Sequence, residues 1–154
     1  MTPQSPDASY FQRLWDRYKA FTPGQKAELL RCAELDDLTL TPAFYRLFPG
    51  ERPDQRHRRL AFLLPWCAHR PQARPLATQL AEAKVAEARI LQVARARSPR
   101  DNLIQLRRLV MHINPEVDWT DFGRSLWFWG QRAKRRLVED FYLARLSPKK
   151  GDQA

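Results

Sequence analysis

Cysteine, glycine and histidine are scarce here. Only two cysteines, Cys32 and Cys67, occur in 154 residues. They match neither a metal-ligand spacing nor a redox motif, which excludes a disulfide framework and a zinc knuckle. Each stands in an apolar helical context and reads as a buried thiol in a reducing compartment. Five glycines are spread singly, so no glycine-rich phosphate loop exists. The three histidines, His57, His69 and His112, are isolated, with no second ligand at metal spacing, and read as solvated or capping side chains. No serine lies in a nucleophile motif. The acidic stretch ELDDL, Glu34 to Leu38, reads as a solvated turn before Thr41 rather than a cation site. The sequence thus offers no catalytic site, no metal site and no cofactor site. No apolar run approaches the roughly 20 residues of a membrane span. The opening MTPQSPDASY lacks the basic and apolar regions of a secretory signal. The expected location is the cytoplasm, with no membrane partner.

Positive charge is abundant. The formal net charge is +10, from 27 basic and 17 acidic residues, and 21 of the basic residues are arginine. Arginine donates paired hydrogen bonds from a planar, weakly hydrated fork, which suits phosphate. Residues 1–50 carry no net charge, residues 51–100 carry +7 and residues 101–154 carry +3. Such a field attracts polyanions, nucleic acid first among them.

Alternating strand patterns are absent too, and helix-start signals recur. Ser5-Pro6, Thr22-Pro23, Thr41-Pro42 and Ser98-Pro99 each put a capping hydroxyl before a proline. Thr22 to Gln25 and Ser98 to Asp101 have capping-box spacing, and Asp118 precedes another start. Tyr10, Phe11, Leu14, Trp15 and Tyr18 recur at helical intervals. LAFLLPWCAH reads as a buried helix kinked at Pro65. The expected fold is all-α, a single bundle of roughly seven to nine helices over residues 1–146. Loops are expected near 49–53, 70–75 and 114–115, and residues 147–154 read as a frayed tail.

Three stretches concentrate the cations. In LWFWGQRAKRRLVEDFYLARL, three large aromatics run into Gly130 and then Arg132, Lys134, Arg135 and Arg136. On a helical wheel Arg132, Arg135 and Arg136 share an arc of about 100°, opposite Ala133, Leu137, Phe141 and Ala144. Like charges on one arc, in the first turns of a helix, repel each other and oppose the helix dipole. The face is either solvated or waits for an anion. Two of Trp127, Phe128 and Trp129 are expected in the core, leaving one outward and able to stack on a base.

In NLIQLRRLVMHINPEVDW, Arg108 lies on the polar arc and Arg107 inside a broad apolar one. An unpaired buried charge costs several kcal/mol. Arg107 therefore needs an internal acid, for which Glu87 is one candidate, or an external ligand. In RPDQRHRRLAF, Arg52, Arg56, Arg58 and Arg59 crowd a helix start. With Lys26 and Arg31 they would form a track for a sugar-phosphate backbone. Cations spread over several helices predict weak sequence preference and steep salt dependence.

TPAFYRL (41–47), VAEARILQ (85–92), NLIQLRRLVMHINPEVDW (102–119) and WFWGQRAKRRLVEDF (127–141) resemble, in order, the CasB family, the small subunit of the type I-E CRISPR Cascade complex. The resemblance implies an all-helical, non-catalytic protein present as two head-to-tail copies. They would lie against backbone subunits that carry the guide RNA and against the large subunit. The basic surface would help hold the target DNA strand and the displaced non-target strand of the R-loop, where base pairing reads the sequence and protein contributes backbone contacts. By motif it assigns nucleic-acid contacts to Arg31, Arg107, Arg108, Arg132, Lys134 and Arg135. Arg56, Arg58, Arg59 and Arg136 are added from the charge pattern alone. The rival reading is a helix-turn-helix regulator of duplex DNA.

Overall fold

The structure, a computed structural model, describes residues 6–147. The expected tail therefore lies, apart from Ser147, outside the described residues, as does the Ser5 cap. Among the described residues nine α-helices follow one another: α1 (Ala8–Lys19), α2 (Pro23–Leu30), α3 (Pro42–Arg46), α4 (Gln55–Leu63), α5 (Leu76–Glu82), α6 (Glu87–Arg95), α7 (Pro99–Ile113), α8 (Trp119–Trp127) and α9 (Gln131–Leu146). The all-α expectation holds.

Helix starts follow from local chemistry. The Thr22 hydroxyl accepts the Gln25 N–H and the Gln25 side chain accepts the Thr22 N–H, closing the capping box. Ser98 Oγ accepts the Asp101 N–H, and Asp118 Oδ1 accepts the Thr120 N–H. Thr41 does not cap α3; its hydroxyl donates to Asp37 O instead. Asp7 caps α1. Two of the histidines do cap: His57 Nδ1 accepts the Asp54 N–H, and His69 Nδ1 accepts the Trp119 N–H.

Two expectations are corrected. The helix through Pro65 does not kink; it stops at Leu63 and tightens into a 3₁₀ turn over Leu64–Trp66. Proline has no N–H to continue the ladder, and its ring crowds the preceding turn. The chain then runs extended, and Ala68–His69 (β1) pairs in parallel with Glu116–Val117 (β2). A two-residue ladder is too short to leave an alternating pattern. It is held from outside by the Trp119 indole N–H, which donates to Cys67 O at 2.8 Å.

The core runs from Phe11 and Leu14 through Phe44, Leu60 and Leu64 to Leu106, Trp119, Trp127 and Phe141, all essentially fully buried. Cys32 and Cys67 are buried free thiols. Among the described residues no helix is long and apolar enough to cross a membrane.

The α1–α8 contact depends on Gly123. A Cβ placed there would lie 2.5 Å from Cδ1 of Phe11, itself fully buried. The ring cannot yield without displacing the core. Gly123→Ala should lower unfolding free energy by about 1–3 kcal/mol, the usual cost of overpacking. A urea titration checks this; an unchanged midpoint would contradict so close an approach.

Candidate nucleic-acid interface

The structure sorts the ten cations into those that are free and those already engaged. Arg132, Arg135 and Arg136 stand exposed on the first turns of α9. Phe141 of the same helix is fully buried, and Leu137 and Ala144 pack against the core. Arg132 and Arg135 touch no carboxylate, and Arg136 reaches Asp140 only at 3.7 Å with its side chain 82% exposed. Arg31 ends α2, and Arg108 lies on the outer face of α7; both are exposed and without an acid. Arg58 is half-buried and likewise unpaired.

The other four differ. Arg59 is only 9% exposed. Its Nε–H donates to Leu126 O and its Nη2–H to Trp127 O, each at 2.6 Å. The guanidinium thus clasps carbonyls at the C-terminal end of α8, where the helix dipole is negative. Burial pushes its pKa down, and its donors face inward, so the expectation of a phosphate contact at Arg59 is withdrawn.

Arg107 donates to Cys32 O at 2.5 Å and to Ala33 O at 3.2 Å, with its guanidinium carbon 4.0 Å from the Phe62 ring centroid. It has neither an internal acid nor a free fork. Glu87, its expected partner, accepts the Tyr142 hydroxyl instead. Carbonyl oxygens and an aromatic face answer the charge, and Arg107 joins α7 to the end of α2.

Lys134 is 7% exposed, on the inward side of α9 with Phe141. This removes it from the exposed arginine face. Arg56 pairs with Asp54 at 2.7 Å and lies over the Trp127 ring at 4.5 Å. That hydrogen bond, before those from His57 and the backbone, holds the Asp54 carboxyl well below the usual carboxylate range. Arg56 is therefore charge-compensated.

The same contacts reveal an arrangement the sequence did not. Arg56 and Arg59 of α4 both meet α8 at Trp127, more than 65 residues away in the chain. The basic start of α9 follows after a link of three residues. Two of the three cationic stretches therefore converge at one end of α8. Trp127 is buried, Trp129 is half-buried, and Phe128 stands 53% exposed, as expected of the aromatic triplet. Beside Phe128 and Trp129 runs a groove of about 560 Å³ between α8, α9 and residues 73–77. Arg74, Arg124, Arg132 and Arg136 line it.

Fold and surface together define a small helical protein in which some exposed arginines pair with acids, as Arg70 does with Glu116 and Arg74 with Glu82, while Arg31, Arg108, Arg132 and Arg135 meet none among the described residues. Among the described residues no group of three His, Cys, Asp or Glu is placed to hold a metal. The family model of CRISPR-associated protein Cse2 matches residues 25–142. The CRISPR system Cascade subunit CasB of Escherichia coli K12 is 32% identical over 155 residues, covering 89% of this chain and 93% of the relative. A chain of the E. coli Cascade crystal structure bound to a PAM-containing double-stranded DNA target superimposes with a TM-score of 0.80. It is 34% identical and covers 87% of this chain and 97% of that one. The chain belongs to the Cse2 family, the CasB-type small subunits.

Proposed function

We propose that this chain is the small, non-catalytic subunit of a type I-E Cascade complex. It holds nucleic-acid backbone largely independently of sequence, and it steadies the target and displaced strands of the R-loop. Its partners are the guide-RNA-carrying backbone subunits, the large subunit and a second copy of itself. The observation that carries this reading is the set of exposed arginines with no internal acid, Arg31, Arg108, Arg132 and Arg135, in a Cse2-family chain. Half-buried Arg58 and weakly paired Arg136 extend the set. Replacing DNA duplex by a heteroduplex is nearly balanced in energy, so a few phosphate contacts are enough to favour the open form. The solved E. coli relative was captured on a double-stranded DNA target, which supports the same role here.

The helix-turn-helix reading has one observation behind it. Helices α8 and α9 are joined by three residues, with arginines at the start of the second. It requires a preferred duplex sequence. Reconstituted complex carrying this chain should crosslink to both strands of an R-loop whatever the sequence at the contacted positions. Crosslinks that appear only on an unopened duplex of one preferred sequence would overturn the proposal.

A further inference from the structure

The groove beside α8 differs in chemistry from the other arginine surfaces. At one end stand Phe128, the most exposed aromatic among the described residues, and Trp129, whose buried indole N–H has no acceptor. Next to them α9 begins without a cap. Gly130 supplies no side chain, and no acid lies in the first turn. The leading amides of such a helix have no partner within it, and together with the dipole they favour an anion. Arg132 lies in that same turn and, with Arg124, lines the groove.

The missing cap is not imposed by the backbone. Gly130 is extended at φ −179°, and a Cβ there would meet nothing closer than 4.0 Å. An aspartate or serine would fit, yet this basic helix start carries neither.

Three acids also line the groove, and their placement matters. Asp118 is committed to the N–H groups of Gln72 and Thr120. Asp140, 3.7 Å from Arg136, lies ten residues beyond Gly130, about 15 Å along α9 at 1.5 Å per residue. Asp121 sits in the first turn of α8, which is about 10 Å from Phe128 at 1.5 Å per residue. The aromatic end therefore collects donors and positive charge, while the acids lie at the other end or are occupied.

Resting on the proposed function, we infer that this groove is a subsite for single-stranded nucleic acid, with a base stacked on Phe128 and the adjoining phosphate on the uncapped start of α9. A paired base hides its face within the duplex, so an exposed ring here selects the unpaired strand. Stacking of this kind is indifferent to base identity.

The test uses the full-length chain at low salt with two fluorescent probes, an oligothymidylate of about 15 nucleotides and a duplex of equal length. Phe128→Ala should weaken single-strand binding by about 5- to 100-fold, the range for losing one stacked base, and leave duplex binding within about twofold. Gly130→Asp should weaken single-strand binding comparably while the thermal midpoint stays equal or rises, because the new carboxylate caps α9. Equal losses on both probes would overturn the stacking subsite and leave the broader phosphate reading intact. Unchanged oligonucleotide binding by Phe128→Ala, with failure to join the other Cascade subunits, would make the groove a protein-docking face and overturn the inference. No binding of either probe by the wild-type chain, free or in the complex, would overturn the proposed function itself.

Discussion

Replacing Arg59 by methionine should lower the unfolding free energy by about 3 kcal/mol, a larger loss than at any exposed arginine. Two charge-assisted hydrogen bonds reach across the fold from α4 to the last carbonyls of α8. Bonds from a charged donor contribute about 1.5–3 kcal/mol each, and the pair shares one side chain, so the two do not simply add. Methionine keeps most of the apolar stem, so little of the loss would come from packing. For a chain of this size the thermal midpoint should fall by about 6–12 °C. Lysine should rescue little, because a single ammonium lacks the fork that spans two carbonyls. A midpoint within about 2 °C of wild type would show that Arg59 does not hold α4 to α8.

Alanine at Arg132, Arg135 and Arg136 together should behave in the opposite way. These side chains stand in solvent and hold nothing inside the chain, apart from the long contact to Asp140. Removing three like charges from the start of a helix should leave stability within about 0.5 kcal/mol or raise it slightly. Binding of target DNA by the assembled complex should fall by about 10- to 100-fold at moderate salt, if each arginine holds one phosphate. Arg56→Ala is the control. It removes one charge rather than three, from a site where Asp54 already answers it, so affinity should change by less than about 1.5-fold. A loss from Arg56→Ala equal, on a logarithmic scale, to one third of the triple variant's loss would mean that net charge alone attracts the DNA, with no local contact at α9.

Helix starts at Thr22, Ser98 and Asp118 were legible because capping is local: the hydroxyl or carboxylate and the N–H it accepts lie two or three residues apart. The inward and outward faces of α9 were legible for the same reason, since one helix repeats its own pattern. Lys134 was carried over from the family motif, although at 100° per residue it falls about 20° from buried Phe141; Arg59 and Arg107 were misread because the pattern along one helix shows only the helix that carries the residue. It cannot show that the last carbonyls of α8 open toward Arg59, or that the chain after α2 turns Cys32 O and Ala33 O toward Arg107. An arginine on an apolar arc suggested an acid, whereas main-chain oxygens and the Phe62 ring served instead. The groove was invisible for the same reason, because its walls come from α8, α9 and a loop some fifty residues earlier. Gly123 left no signal at all; only the packing of Phe11 against α8 explains it.

The central claim is that the exposed arginines of α9 neutralise phosphates. Its most direct test is the dependence of target-DNA affinity on salt, measured for the complex with wild-type chain and with the Arg132, Arg135 and Arg136 triple alanine variant. Each phosphate that no longer meets an arginine should flatten the slope of log affinity against log salt by about 0.9, so the variant's slope should be shallower by about 2–3. Parallel lines for the two complexes would contradict the account.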